Sequence, residues 1–119
     1  MAKRDSRIVM FQAAIMGLEK ETGAKGFLEY AFAKPRRWRF DAAFPQVLVA
    51  VEVEGAVWTY GRHTRASGFL RDKEKYNTAA LAGWCVLRYT WEEITSGEFI
   101  EQVENAITSR MFKVSHQYR

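Results

Sequence analysis

Apolar positions change period along this chain, and the changes mark its elements. From Ser6 to about Glu21, Ile8, Phe11, Ile15 and Leu18 recur at helical spacing, and Gly23 and Gly26 follow as terminators. The stretch opens with basic residues, as a secretory leader does. However, Gln12 interrupts it and no small-residue cleavage site precedes Glu19, so it reads as a core-facing helix rather than a leader or a membrane span. Aromatic-rich Phe27 to Ala33 predicts a first strand, Arg37 to Phe44 a second and Val47 to Glu54 a third. Pro45-Gln46 between the last two predicts a tight hairpin.

Residues 55 to 68 read as a loop punctuated by Gly55, Gly61 and Gly68. A second helix is expected over about Phe69 to Ala82, ended by Gly83, then a fourth strand over Trp84 to Thr90. A last helix should run from about Glu92 or Ser96 to Arg110, with Phe99, Val103 and Ile107 on one face, and Lys113 to Arg119 should form a polar tail. Three strands in a meander, then a crossover helix and another strand, imply an α/β fold. The sheet is mixed and four-stranded, flanked by helices. With 119 residues and no internal repeat, the chain is expected to be one domain.

The third strand carries the unusual chemistry. Val47, Val49, Val51 and Val53 share one face; Leu48, Ala50, Glu52 and Glu54 share the other. Both faces begin apolar, as in a central strand covered on two sides. Two glutamates ending such a strand repel each other by about 4 kcal/mol at close range in a medium of intermediate polarity. A solvated strand end, arginine partners or a divalent cation would each relieve that cost.

Charge placement bears on this choice more than net charge does. The chain is modestly basic at +4, with 18 Lys and Arg residues. Lys34, Arg36, Arg37 and Arg39 precede the acidic strand, and Arg62, Arg65, Arg71, Lys73 and Lys75 follow it. A basic rim around an acidic centre suits a phosphate polymer such as DNA; ordinary solvated charge is the plainer account. Arg62, His63 and Arg65 lie in one loop with Trp58 and Tyr60, a mixture that can contact phosphate, stack bases or supply an acid or base. Trp38 and Trp84 read as core or sheet-edge residues, and Trp91 as a support for the last helix. The lone Cys85 sits in an apolar run and is expected to be a buried small side chain in a reducing, cytoplasmic setting. One cysteine and two distant histidines, His63 and His116, do not make a zinc site. There is no Ser-His-Asp constellation and no phosphate-binding glycine loop.

Four segments in order are Arg39-Phe40-Asp41, Val51-Glu52-Val53-Glu54-Gly55, Asp72 to Lys75, and Gly83-Trp84-Cys85-Val86-Leu87-Arg88-Tyr89. Together with the element order they resemble the PD-(D/E)XK nuclease superfamily over roughly Ser6 to Thr90. Within it, the chain is similar to small phage and bacterial endonuclease-like proteins related to the very-short-patch repair and Holliday-junction-resolvase branches. The resemblance implies a restriction-endonuclease-like core and a Mg²⁺- or Mn²⁺-dependent DNA endonuclease acting in a bacterial or host cytoplasm, on branched or mismatched substrates in some branches. It implies Asp41 and Glu52 as metal ligands with the Val53 backbone carbonyl, and a homodimer in relatives that act on branched DNA; the basic rim and the loop after the acidic strand make Arg36, Arg37, Arg62, His63 and Arg65 the residues expected at the DNA. The expectation for the acids is that Asp41, Glu52 and Glu54 converge on one point.

The family's lysine position is Glu54 here. Glu54 is then a third ligand or a general base, and Lys75 on the following helix is the candidate replacement for the lysine, unless it is a surface partner of Asp72 one turn away. The same departure allows a non-cleaving nucleic-acid-binding member. A protein-interaction factor using the basic surface is the remaining alternative.

Overall fold

The computed structural model describes residues 5–54 and 65–117, with side chains described over 5–54 and 72–112. The elements are α1 (Ser6–Thr22), β1 (Phe27–Ala31), β2 (Arg39–Phe44), β3 (Val49–Val53), α2 (Arg65–Leu81), β4 (Cys85–Tyr89), α3 (Trp91–Ser96) and α4 (Phe99–Gln117). The fold is α/β. One mixed sheet runs β1-β2-β3-β4, antiparallel between the first three strands and parallel between β3 and β4, with helices on both faces. No helix among the described residues is long and apolar enough to cross a membrane.

The predicted alternation of β3 holds. Val49 and Val51 are buried in the main core with Phe11, Ile15 and Leu18 of α1, Tyr89 of β4, Ile94 of α3, and Phe99, Val103 and Ile107 of α4. Ala50 faces the opposite side, in a smaller cluster with Phe40, Ala43 and Ala79 of α2, against which Tyr30, Phe32, Trp84 and Val86 pack. Phe32 lies flat on Phe40 with ring centroids 4.1 Å apart, and Trp84 closes on Phe40 at 5.0 Å. Small side chains at Ala43, Ala50 and Ala79 leave room for these rings and let α2 lie close to the sheet.

Several sequence expectations are corrected. The last helix is two helices: Gly97 adopts a left-handed conformation (φ 83°), which ends α3. Thr90 and Glu93 close a reciprocal capping box at the start of α3, and α4 runs past Arg110 to Gln117. α2 begins at Arg65 rather than Phe69. The β2–β3 connection is not a two-residue hairpin. Val47 and Leu48 belong to the turn, with Leu48 at φ 55°, so β3 starts at Val49. Ile8, expected in the core, is 42% exposed, and Cys85 is only half-buried.

Arg110 explains how that wider turn is held. Its Nη1 donates to the carbonyls of Val47 (3.2 Å) and Leu48 (3.3 Å) in the turn and of Gly83 (2.8 Å) after α2. One guanidinium from α4 thus ties together two chain reversals at one end of the sheet. Replacing Arg110 with Ala should cost about 1–3 kcal/mol, read as a lower urea midpoint at unchanged m, because the carbonyls lose a charged donor. A loss below about 0.5 kcal/mol would mean that water replaces the guanidinium freely.

Candidate active site at the divergent end of β2 and β3

The β2–β3 ladder pairs Phe44 with Val49, Ala43 with Ala50, and Ala42 with Val51. At the next position side chains take over from the ladder. The Asp41 N–H donates to Glu52 Oε2 at 3.1 Å, and the Val53 N–H donates to Asp41 Oδ2 at 2.7 Å. Each carboxylate satisfies a backbone donor on or beside the other's strand, so the two acids are locked to each other through the main chain. On the other side of β2, Glu29 sits at φ 49° between the paired Leu28 and Tyr30. The side-chain alternation of β2 also breaks here: Ala42 and Phe44 enter the main core, whereas Phe40 joins Ala43 in the opposite cluster. Strict alternation would put Phe40, Ala42 and Phe44 on one face.

Glu52 is 7% exposed, the buried charged residue of the described chain. Its Oε1 accepts from Lys75 Nζ and from Tyr76 Oη, both at 2.6 Å. Lys75 also donates to the Arg39 carbonyl at 2.8 Å. Its ion pair is with Glu52, not with Asp72. α2 presents these groups because Asp72, Lys75, Tyr76 and Ala79 follow the spacing of one helical face. Ala79 is the apolar end of that stripe, and Lys75 and Tyr76 reach the acidic end of β3.

The two carboxyls differ in character. Burial pushes Asp41 up to about 6; the Val53 N–H opposes this, while the neighbouring charge of Glu52 adds to it. Burial acts on Glu52 in the same direction, but the Lys75 and Tyr76 hydrogen bonds outweigh it and hold Glu52 below the usual carboxylate range. The Tyr76 phenol is pushed up, first by burial and then by its bond to Glu52.

Asp41 opens into a cleft of about 300 Å³ lined by Ile8, Phe11, Leu28, Glu29, Val53 and Trp91, among others. The exposure of Ile8 follows from this, since it forms part of the cleft wall. Trp91 also lies under the Arg7 guanidinium, at 5.0 Å, so it serves the cleft as well as α3.

Glu54 does not converge with the other two acids. It pairs with Arg88, whose side chain stands beside Glu52 across the parallel β3–β4 register. Among the described residues no group of three or more His, Cys, Asp or Glu side chains is placed to hold a metal. Two carboxylates nevertheless fit Mg²⁺ or Mn²⁺, which commonly take one or two protein carboxylates and leave their other positions to water and phosphate oxygens. Burial first, and the charge of Glu52 after it, penalise the ionised form of Asp41, a penalty a dication would offset.

Of the expected DNA-facing residues, Arg36 and Arg37 are exposed on the β1–β2 loop. Arg36 pairs with Glu74 of α2 and stacks on Trp38 at 4.6 Å. Arg62 and His63, with Trp58 and Tyr60, lie outside the described residues, as do the side chains of Arg65 and His116. Sequence reasoning missed Tyr76 and Arg88. The helical stripe through Lys75 was the signal for Tyr76; Arg88 shares strand parity with Val86, on the α2 side.

No protein-family profile matches the sequence, and no curated protein does. Among solved structures, the chain is similar to the catalytic domain of the homing endonuclease I-Bth0305I. The TM-score is 0.58 at 16% identity, over 84% of this chain and 95% of that domain. At that identity the likeness is one of fold alone.

Proposed function

We propose that this protein is a divalent-metal-dependent DNA endonuclease of the PD-(D/E)XK type, hydrolysing phosphodiester bonds. The observation that carries the reading is the pairing of Asp41 and Glu52 at the divergent end of two central strands, with Lys75 bonded to Glu52. The fold it shares with a homing endonuclease catalytic domain supports the same reading. Asp41, Glu52 and the Val53 carbonyl would hold Mg²⁺ or Mn²⁺. When bound, the cation would supply an activated water and offset charge on the phosphoryl oxygens.

The chain's own groups do the rest. Lys75 keeps Glu52 ionised and brings a cation to the place where phosphate charge must be balanced, the role otherwise given to a lysine at the Glu54 position. Arg36 and Arg37, exposed on the β1–β2 loop, would contact phosphate, and Arg62, His63 and Arg65 are the further candidates by sequence for the same role. A short chain has little surface for gripping duplex DNA, and a homodimer would double it.

The alternative is a non-cleaving DNA-binding protein, which the glutamate at the lysine position favours. The Lys75–Glu52 pair weighs against it, because the missing cation is supplied from α2. Labelled linear, flapped and four-way-junction DNA should each be incubated with the protein in Mg²⁺, Mn²⁺ and EDTA. The expected result is cutting in at least one cation, abolished by EDTA, with the preferred substrate showing whether branched DNA is selected. Salt-sensitive binding with no cutting on any substrate would favour the non-cleaving reading.

A further inference from the structure

The groups around Glu52 form a chain that ends at Glu54. Tyr76 Oη donates to Glu52 Oε1 at 2.6 Å. The guanidinium carbon of Arg88 lies 4.4 Å from the centre of the Tyr76 ring. Arg88 Nε donates to Glu54, and the Glu54 N–H donates to the Tyr89 carbonyl at 2.6 Å, fixing that acid's backbone against β4.

We propose that Tyr76 is a positioning residue for Glu52, and that Glu54 acts through Arg88 to hold Tyr76 in place, rather than as a metal ligand or general base. This rests on the nuclease reading only as far as it concerns metal.

The physical case is one of satisfied valence. Glu52 Oε1 has two donors and Oε2 has the Asp41 N–H, so the carboxylate is held in one rotamer with Oε2 turned toward Asp41. Lys75 alone would leave its orientation loose, because an ammonium on a flexible stem tolerates many directions. A phenol on a rigid ring fixes the direction of its hydrogen bond. That ring is itself held by the Arg88 face contact. Glu54 then has a defined task. Without it, Arg88 is free to leave the ring for solvent, since its side chain is 44% exposed. The substitution of glutamate for the family's lysine becomes part of one arrangement: Lys75 supplies the charge from α2, and the vacated position just after β3 anchors the neighbour that aligns its partner. Outer groups of this kind set how firmly a carboxylate can bind a cation.

The test uses Tyr76→Phe, Glu54→Gln and the double variant, with two readouts. In metal-free protein, ¹³C-labelled glutamate carboxyl resonances report Glu52 directly. We expect the Glu52 resonance to shift in Tyr76→Phe, to shift less and in the same direction in Glu54→Gln, and to match Tyr76→Phe in the double variant. By Mn²⁺ electron paramagnetic resonance, Tyr76→Phe should bind Mn²⁺ about 10-fold more weakly, and the double variant no more weakly than that. An unmoved Glu52 resonance in Tyr76→Phe overturns the proposal. So does a Glu54→Gln effect on affinity that adds fully to that of Tyr76→Phe, which is the behaviour of an independent ligand. If the wild type binds no Mn²⁺ while the resonances shift as described, the metal reading falls and the positioning chain stands.

Discussion

Asp41→Asn should abolish DNA cleavage, by at least about 1,000-fold, while making the metal-free protein more stable at neutral pH. The loss of activity follows from removing a carboxylate charge at the centre of the site. The gain in stability follows from linkage. Asp41 has a folded pKa of about 6 against a reference of 3.8. A folded value above the unfolded one means that the folded state binds more protons. The stability this group contributes is therefore fully present below pH 3.8 and is lost as pH rises through about 6.

The full shift would correspond to about 3 kcal/mol; solvent on the open side of the carboxyl reduces this to about 1–2 kcal/mol. Asparagine keeps an oxygen to accept the Val53 N–H, so the strand end need not open. Urea melts of both proteins in EDTA should coincide near pH 4 and separate in favour of the variant by pH 8. Added Mg²⁺ should raise the wild-type midpoint and leave the variant where it was. A variant less stable than wild type at pH 8 would make Asp41 a structural acid, and a variant that still cuts would remove it from the chemistry. That pair of results would mark Asp41 as a charge kept for function at a cost to the metal-free fold.

Lys75→Met should have the opposite effect on stability, with a cost of about 3 kcal/mol at pH 8, because it leaves Glu52 buried and ionised with no counter-charge, only the Tyr76 hydroxyl and the Asp41 N–H. The sign with pH is again fixed by linkage. In the wild type, Glu52 titrates below its reference of 4.5, so it contributes stability above that pH and loses it as pH falls. Without Lys75 the burial of Glu52 acts less opposed, its pKa rises, and the penalty grows with pH. The difference between variant and wild type should therefore be small near pH 4 and largest at alkaline pH. Adding Glu52→Gln to Lys75→Met should recover most of the lost stability, since the uncompensated charge is gone, yet leave cleavage absent. If Lys75→Met melts like the wild type across this range, water screens Glu52 and the ion pair is not structural. Full cleavage by Lys75→Met would end the idea that α2 supplies the displaced lysine.

How legible the site was depends on the scale of the signal. The acids of β2 and β3 stood out because charge at the end of an apolar, two-sided strand is costly and needs an explanation. Lys75 was visible because it shares a helical face with Asp72, but that spacing pointed equally to Asp72 as its partner. Only the packing of α2 on the sheet, set by Ala79 against Ala43, Ala50 and Phe40, turned Lys75 to Glu52 instead. Tyr76 lay on the same stripe and went unread, since a tyrosine on a helix face is ordinary until its hydroxyl meets a buried carboxylate.

By itself the sequence determined the order of elements, the two faces of β3, the buried stripe Phe99, Val103 and Ile107, and the acids at the strand end. These follow from local period and from the cost of burying charge, which neighbouring residues are enough to express. Tertiary structure decided the break in β2 at Asp41, the exposure of Ile8, and the separation of Glu54 from Asp41 and Glu52. Each depends on a partner distant in the chain: the Val53 N–H for Asp41, the cleft wall for Ile8, Arg88 for Glu54. Alternation assigns a side chain to a face of the sheet; only the groups that meet it there decide whether a carboxylate becomes a ligand, an ion pair or a cap.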